Sequence, residues 1–260
     1  MISKSLHGLR RFKLRQEGGD SPDNHSYQCK NLQDKQGVDK LCEAIRVLSQ
    51  MTGFLELKLD IPSISSDLFW DHRHCASVGE DKSVWPSLRR LEIDCGIVLP
   101  SGQWYYTGDR TKEGALQQGR EDEEFDTDFG AMNSGLESDD SDAEDDPAWL
   151  WPQHLWRMEP DPETMNPLAI SMAAAVRRMP NLQSATLHMD FSSSNWRAIC
   201  LQCVEPNSRF PIYDDDGEGS AFRRWRAVVE RNVRWKAPSD MARETEAWTG
   251  KDPIRVQVDE

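Results

Sequence analysis

Trp85-Pro86-Ser87-Leu88-Arg89-Arg90-Leu91-Glu92-Ile93-Asp94-Cys95 is the stretch on which the fold turns. An extended strand puts alternate side chains on opposite faces, so Leu91 and Ile93 point one way and Arg90, Glu92 and Asp94 the other. The pattern recurs. Aligned on Leu88, the copies begin at Leu9 (with Phe12 and Leu14), Phe54 (with Leu57 and Leu59), Leu88 (with Leu91 and Ile93) and Leu182 (with Ala185 and Leu187). Trp85-Pro86 and Met179-Pro180 lead into two of them. The copies are irregularly spaced, which predicts a short repeat rather than a uniform array. If they lie side by side, the outward positions form three ladders. These are Arg11, Glu56, Arg90, Ser184; then Lys13, Lys58, Glu92, Thr186; then Arg15, Asp60, Asp94, His188. Their mixed signs suit a protein partner better than a polyanion, and a solvated sheet face fits them equally well.

A chain of 260 residues can bury a real core. Its net charge of −14 sits in one segment, because Glu121 to Asp146 holds thirteen acidic residues and no Lys or Arg. The rest is nearly neutral and shows no basic stripe, so no nucleic-acid partner is expected. No run approaches a membrane span, and Met1 to Arg15 is too polar for a secretory leader. Six cysteines without a leader imply reduced thiols and a cytoplasmic or nuclear chain.

The chain enters almost directly into its first repeat strand, which predicts the C-terminal part of something longer or a truncated gene product. Val38 to Met51 reads as a helix with Val38, Leu41, Cys42, Ile45 and Leu48 on one stripe. A second helix is expected from Pro167 to Met179, capped by Asn166. Residues 63–83 read as a loop with a short helical turn near Leu68. Ala198 to Val204 reads as a strand. Phe222 to Val229 and Val233 to Lys236 read as a hairpin. A helix is expected from Ser239 to Trp248, and a closing strand from Ile254 to Val258. Residues 111–147 cannot bury enough apolar surface to offset their ordering entropy and read as disordered. Trp149, Trp151 and Trp156 are expected to dock on the folded body.

These features define a resemblance. Trp85 to Ile93, Leu99-Pro100-Ser101-Gly102-Gln103-Trp104-Tyr105-Tyr106-Thr107-Gly108-Asp109, Asn166-Pro167-Leu168 through Met179-Pro180-Asn181-Leu182, and Trp235 to Val258 together resemble the leucine-rich C-terminal region of fungal F-box proteins. The resemblance covers most of the chain outside the acidic insertion. It implies repeats that hold a target for a cullin ubiquitin ligase. No F-box pattern precedes the repeats, so no adaptor-binding residue is carried over.

Other candidates are weaker. Trp104-Tyr105-Tyr106 could be an exposed hook, but such a cluster more often staples its own loop to the core. His72, His74 and Cys75, or Cys200 and Cys203, have metal-ligand types. A structural zinc site needs four ligands, and Cys200 and Cys203 would face opposite ways on a strand, so no metal or cofactor is expected. Asp214-Asp215-Asp216-Gly217 lacks the spacing of a calcium loop. Arg223, Arg224 and Arg226 read as a solvated cluster. Ser134 and Ser141 precede Glu137 and Glu144 in acidophilic-kinase spacing. No nucleophile elbow, phosphate loop, dinucleotide fingerprint or His-Glu-x-x-His helix occurs.

The expected fold is α/β: a short irregular leucine-rich-repeat-like solenoid over residues 1–110 and 148–204, an acidic disordered insertion over 111–147, and an α+β cap over 205–260. The expected function is a non-catalytic protein-interaction module with an unidentified protein partner. A hydrolase-like α/β enzyme with a loop-assembled site, or a nonfunctional fragment, is the alternative.

Overall fold

The computed structural model describes residues 8–16, 25–26, 28–48, 51–69, 85–112, 156–157, 159–191, 196–210, 223–229, 235–241 and 255–258. In chain order the elements are β1 (Arg11–Arg15), α1 (Lys40–Leu48), β2 (Glu56–Ile61), β3 (Arg90–Cys95), β4 (Tyr106–Thr107), β5 (Glu159–Pro160), α2 (Pro162–Arg177), β6 (Ser184–Phe191), β7 (Trp196–Val204), β8 (Arg224–Val229) and β9 (Arg255–Val258). Single 3-10 turns occur at Ser66–Leu68 and Arg110–Lys112.

Seven strands form one sheet in the order β1-β2-β3-β6-β7-β8-β9, and β4 and β5 pair separately. The first four strands run parallel, β7 and β8 run antiparallel to their predecessors, and β9 lies parallel to β8. The chain is thus a mixed α/β fold on a mostly parallel sheet. Leu14, Leu59, Ile93 and Leu187 sit in register across the first four strands. Leu59, Ile93 and Leu187 are fully buried, and Leu14 is partly buried against the same core. Parallel strands need a crossover between them, and α1 and α2 lie in two of these connections.

Local chemistry sets the helix ends. Asp39 caps α1, its Oδ1 accepting from Leu41 N and Cys42 N, while Oδ2 accepts from Ser65 Oγ at 3.1 Å. Arg46 Nη1 donates to Asp67 O at 2.9 Å, fastening α1 to the turn after β2. The second helix begins five residues before the expected start. Asp161 is its N-cap, accepting from Glu163 N at 2.9 Å, with Pro162 in the first position. Pro167 therefore sits inside the helix. The bond it cannot make would have gone to the carbonyl of Glu163, an exposed residue that water can satisfy.

The expected hairpin between 222–229 and 233–236 has no counterpart among the described residues, which leave out 222 and 230–234. β8 pairs with β7 and β9 instead, and Trp235 and Lys236 are not in a strand. β8 and β9, expected in a separate α+β cap, extend the main sheet. Only the first residues of the expected helix after Pro238 are described. Residues 113–155, His72 to Cys75 and Asp214 to Gly217 lie outside the described residues, and with them Ser134, Ser141, Trp149 and Trp151.

The Trp-Tyr-Tyr cluster is a staple. Trp104 is 7% exposed, and Tyr105 and Tyr106 are fully buried. Tyr105 Oη donates to Ile64 O at 2.8 Å, tying the loop after β3 to the loop after β2. Gly102 has φ +83 and packs so tightly that a Cβ there would lie 2.5 Å from Cys29 O. Ile93→Ala is expected to cost about 2–5 kcal/mol of unfolding free energy in urea titration. Leu14→Ala, at the partly open end of the same row, is expected to cost roughly half as much or less. Equal costs would mean the β1 end of the row is packed as tightly as its interior.

Candidate functional site

The face of the sheet opposite this apolar row carries the three ladders in the expected register. Arg11 pairs with Glu56, Glu56 with Arg90, and Arg90 with Ser184. Lys13, Lys58, Glu92 and Thr186 form the second row, and Arg15, Asp60, Asp94 and His188 the third. Strand alternation and parallel pairing suffice to place them, because both have fixed periods.

The rows largely neutralise themselves. Arg11 Nε lies 3.2 Å from Glu56 Oε2, and Arg15 Nε 3.2 Å from Asp60 Oδ2. Lys58 is hydrogen-bonded to Glu92 and lies 3.9 Å from Asp94 Oδ2. The bond to Glu92 raises the Lys58 pKa by favouring its ammonium form. His188 Nδ1 lies 3.0 Å from Asp94 Oδ1. Among the described residues, Lys13 and Arg90 are the ladder cations without a carboxylate in reach.

The face closes along its length. Arg11 is 77% and Arg15 64% exposed at the side chain, whereas Lys58, Glu92 and Asp94 are only about a third exposed. Thr186 and His188, expected as outward ladder positions, are in register but buried, at 4% and 8% exposure. The rows continue as Gln202 to Arg226 and as Cys200 to Val228, with Val204 beside Arg224. Gln202, Cys200, Val204, Val228 and Arg226 are all buried. Ladder residues on β1 to β3 therefore meet solvent, whereas among those described on β6 to β8 only Ser184 and Arg224 remain partly exposed.

This corrects the arginine cluster. Arg226 is 5% exposed; its Nη2 donates to Gln202 Oε1 at 2.9 Å, and its guanidinium lies 4.3 Å from the Phe210 ring centroid. Arg224 donates to Ser208 O and also approaches Phe210. Stacking and hydrogen bonding offset the desolvation of a guanidinium better than that of an ammonium. Val204, Cys200 and Val228 at outward positions were the sequence signal for this coverage.

Sequence reading also missed a clamp at His25. Its Nδ1 accepts from Trp156 N at 3.0 Å and Arg157 N at 2.8 Å. Arg157 lies 4.1 Å from the Trp156 ring centroid and 5.1 Å from that of Trp104, and donates to Tyr106 O. Burial, reinforced by the nearby Arg157 charge, lowers the His25 pKa to about 4. No local pattern announces a contact across so many residues.

Cys200 and Cys203 occupy opposite faces, the first across from His188 and the second in the core across from Ala185. They cannot share a metal ion, and no group of three or more ligand-type residues able to hold one occurs among the described residues. Burial raises the thiol pKa of Cys203 to about 12 and those of Cys42 and Cys95 further. No described helix is long and apolar enough to cross a membrane. No protein-family model, no curated protein and no solved structure matches this chain.

Three measurements check this description. Because the His25 pKa is lowered on folding, the unfolded chain binds more protons between about pH 6.5 and 4, so stability is fully present above that window and lost as pH falls through it. The slope is at most about 1.4 kcal/mol per pH unit, and His25→Gln should flatten it between roughly pH 6.5 and 5, above most carboxylate titration. A double-mutant cycle on Lys58 and Glu92 should give about 0.2–1 kcal/mol of coupling, falling with salt. Iodoacetamide should leave Cys42, Cys95 and Cys203 unmodified in the native chain and label all three in urea.

Proposed function

We propose that this chain is a non-catalytic protein-interaction module, of the kind that holds a target on the leucine-rich region of an F-box-type substrate receptor in the cytoplasm or nucleus. In this reading β1, β2, β3 and β6 are the strands of a short, irregular leucine-rich-repeat-like solenoid. The observation that carries it is the set of in-register ladders whose exposed part lies on β1, β2 and β3. A solenoid presents such a sheet face to partners. A surface of paired charges with Lys13 and Arg90 left over favours a partner of mixed charge, because local complementarity sets register more than affinity.

One observation favours an enzyme instead. Asp94, His188 and Cys200 lie in one row, with Asp94 Oδ1 3.0 Å from His188 Nδ1 and Cys200 across from His188. Carboxylate, imidazole and thiol in sequence are the parts of a nucleophilic site. Cys200 is 1% exposed, however, and a nucleophile that a substrate cannot approach does no chemistry. The module reading accounts for more of the face.

The test inverts the face without breaking it. K58E/E92K keeps an ion pair while reversing local polarity, and Arg90→Glu reverses a cation with no partner to lose. Proteins retained from host extract by the wild-type chain should be lost with both variants. Retention of the same proteins by both would remove the sheet face as the binding surface. Alkylation of native Cys200 faster than a free thiol would instead favour the enzyme.

A further inference from the structure

We propose that the outer edge of β1 is a strand-addition site for an extended polypeptide in which acidic residues alternate with apolar ones. The backbone is the first reason. Arg10 O accepts from Leu55 N and Glu56 N, and Gln16 N donates to Asp60 O, so the even-numbered residues of this segment face β2. Alternation then turns the N–H and C=O groups of Arg11, Lys13 and Arg15 to the outer edge, where no described strand pairs with them. An unpaired strand edge is a ready template for another extended chain, because its N–H and C=O groups lack partners.

Apolar surface is the second reason. Leu9, Phe12 and Leu14 are only partly buried, whereas their counterparts Leu57, Leu59, Leu91 and Ile93 are 2% exposed or less. Among the described residues, the helix layer ends at the same side. Asp39 and Arg46 hold residues 65–67 against one flank of α1. Helical spacing puts Leu41 and Leu48 on the opposite flank, and Leu41 is 37% exposed. An added strand with apolar residues at alternate positions would continue the row that Leu14 begins.

Charge selects the occupant. Every outward side chain of β1 is cationic: Arg11, Lys13 and Arg15. Carboxylates on the added strand would stand opposite them as Glu56 and Asp60 do on the other side. A second copy of this chain does not fit, because pairing β1 with β1 sets cation against cation. Like-charged edges of this kind resist self-pairing. Main-chain bonds and alternate side chains are how strand addition combines affinity with selectivity. The inference rests on the interaction-module reading only in taking a polypeptide as partner; its surface is the edge, not the face.

The probe is a fluorescein-labelled peptide of about seven residues alternating glutamate with leucine and valine, titrated with the full chain by anisotropy. Controls are the same composition with the alternation scrambled and the same pattern with lysine for glutamate. Saturable binding of the first alone is expected. Lys13→Glu, which breaks no ion pair, should weaken it ~5–10-fold. Lys13→Pro removes one outward donor while sparing the bonds to β2, and should abolish it. Arg90→Glu, two strands away, should leave it unchanged while still losing the face-dependent partners. Equal binding of all three peptides, no binding of the first, or indifference to both Lys13 variants would overturn the proposal. So would dimerisation of the chain through β1 in sedimentation.

Discussion

The structure depends on the register of parallel strands. Side chains on a strand alternate with a period of two, so slipping β2 by one residue against β3 would send Leu57 and Leu59 outward and bring Glu56 and Lys58 into the core. Burying those charges unpaired would cost far more than the pairing returns. Each strand therefore votes for the same alignment, and the ion pairs on the other face vote with it. Arg11 meets Glu56 and Lys58 meets Glu92 only in that register. The core supplies the magnitude. The ladders, individually worth little in solvent, penalise the alternatives.

The two ends of the sheet solve different problems. Toward β8 the second face is covered, and its polar side chains pair in part: Gln202 Oε1 with Arg226, Arg226 with Phe210, His188 Nδ1 with Asp94, while Gln202 Nε2 and His188 Nε2 find no hydrogen-bond partner among the described residues. Toward β1 the face is open and its side chains are long, charged and hydrated. The gradient explains why β7 carries Val204, Gln202 and Cys200 where β1 to β3 carry Arg, Lys, Glu and Asp. The proposed interaction module would draw on such a division between a part that holds its shape and a part that remains available.

The sheet was legible because its signals are local and periodic. Leu91 and Ile93 fix one face, Arg90 and Glu92 the other, and the Trp-Pro lead-in marks the start. Pro167 misdirected the second helix: a proline suits a first turn, and Asp161-Pro162 offers the same signal earlier with a better cap. Arg226 was read as solvated because charge alone was weighed and the apolar neighbours of its row were not. The partners of His25 lie far along the chain, and a histidine next to an asparagine and a serine carries no mark of a buried acceptor. The acidic row of Asp60 and Asp94 was visible; that it meets an imidazole was visible only through the register.

Near Gly108 two stretches of backbone touch. A Cβ at that position would fall 1.8 Å from Trp156 O, and β4 and β5 bond the flanking residues. The chain that departs after Thr107 thus returns to the same spot before α2, as the two legs of a hairpin meet at its base. A closed base means that added length need not disturb the strands it joins, since doubling the length of a flexible loop costs only about 0.6 kcal/mol. Evolution could lengthen, shorten or recharge that intervening sequence without renegotiating the sheet. The substitution that would end this freedom is the smallest one available, a methyl group on Gly108.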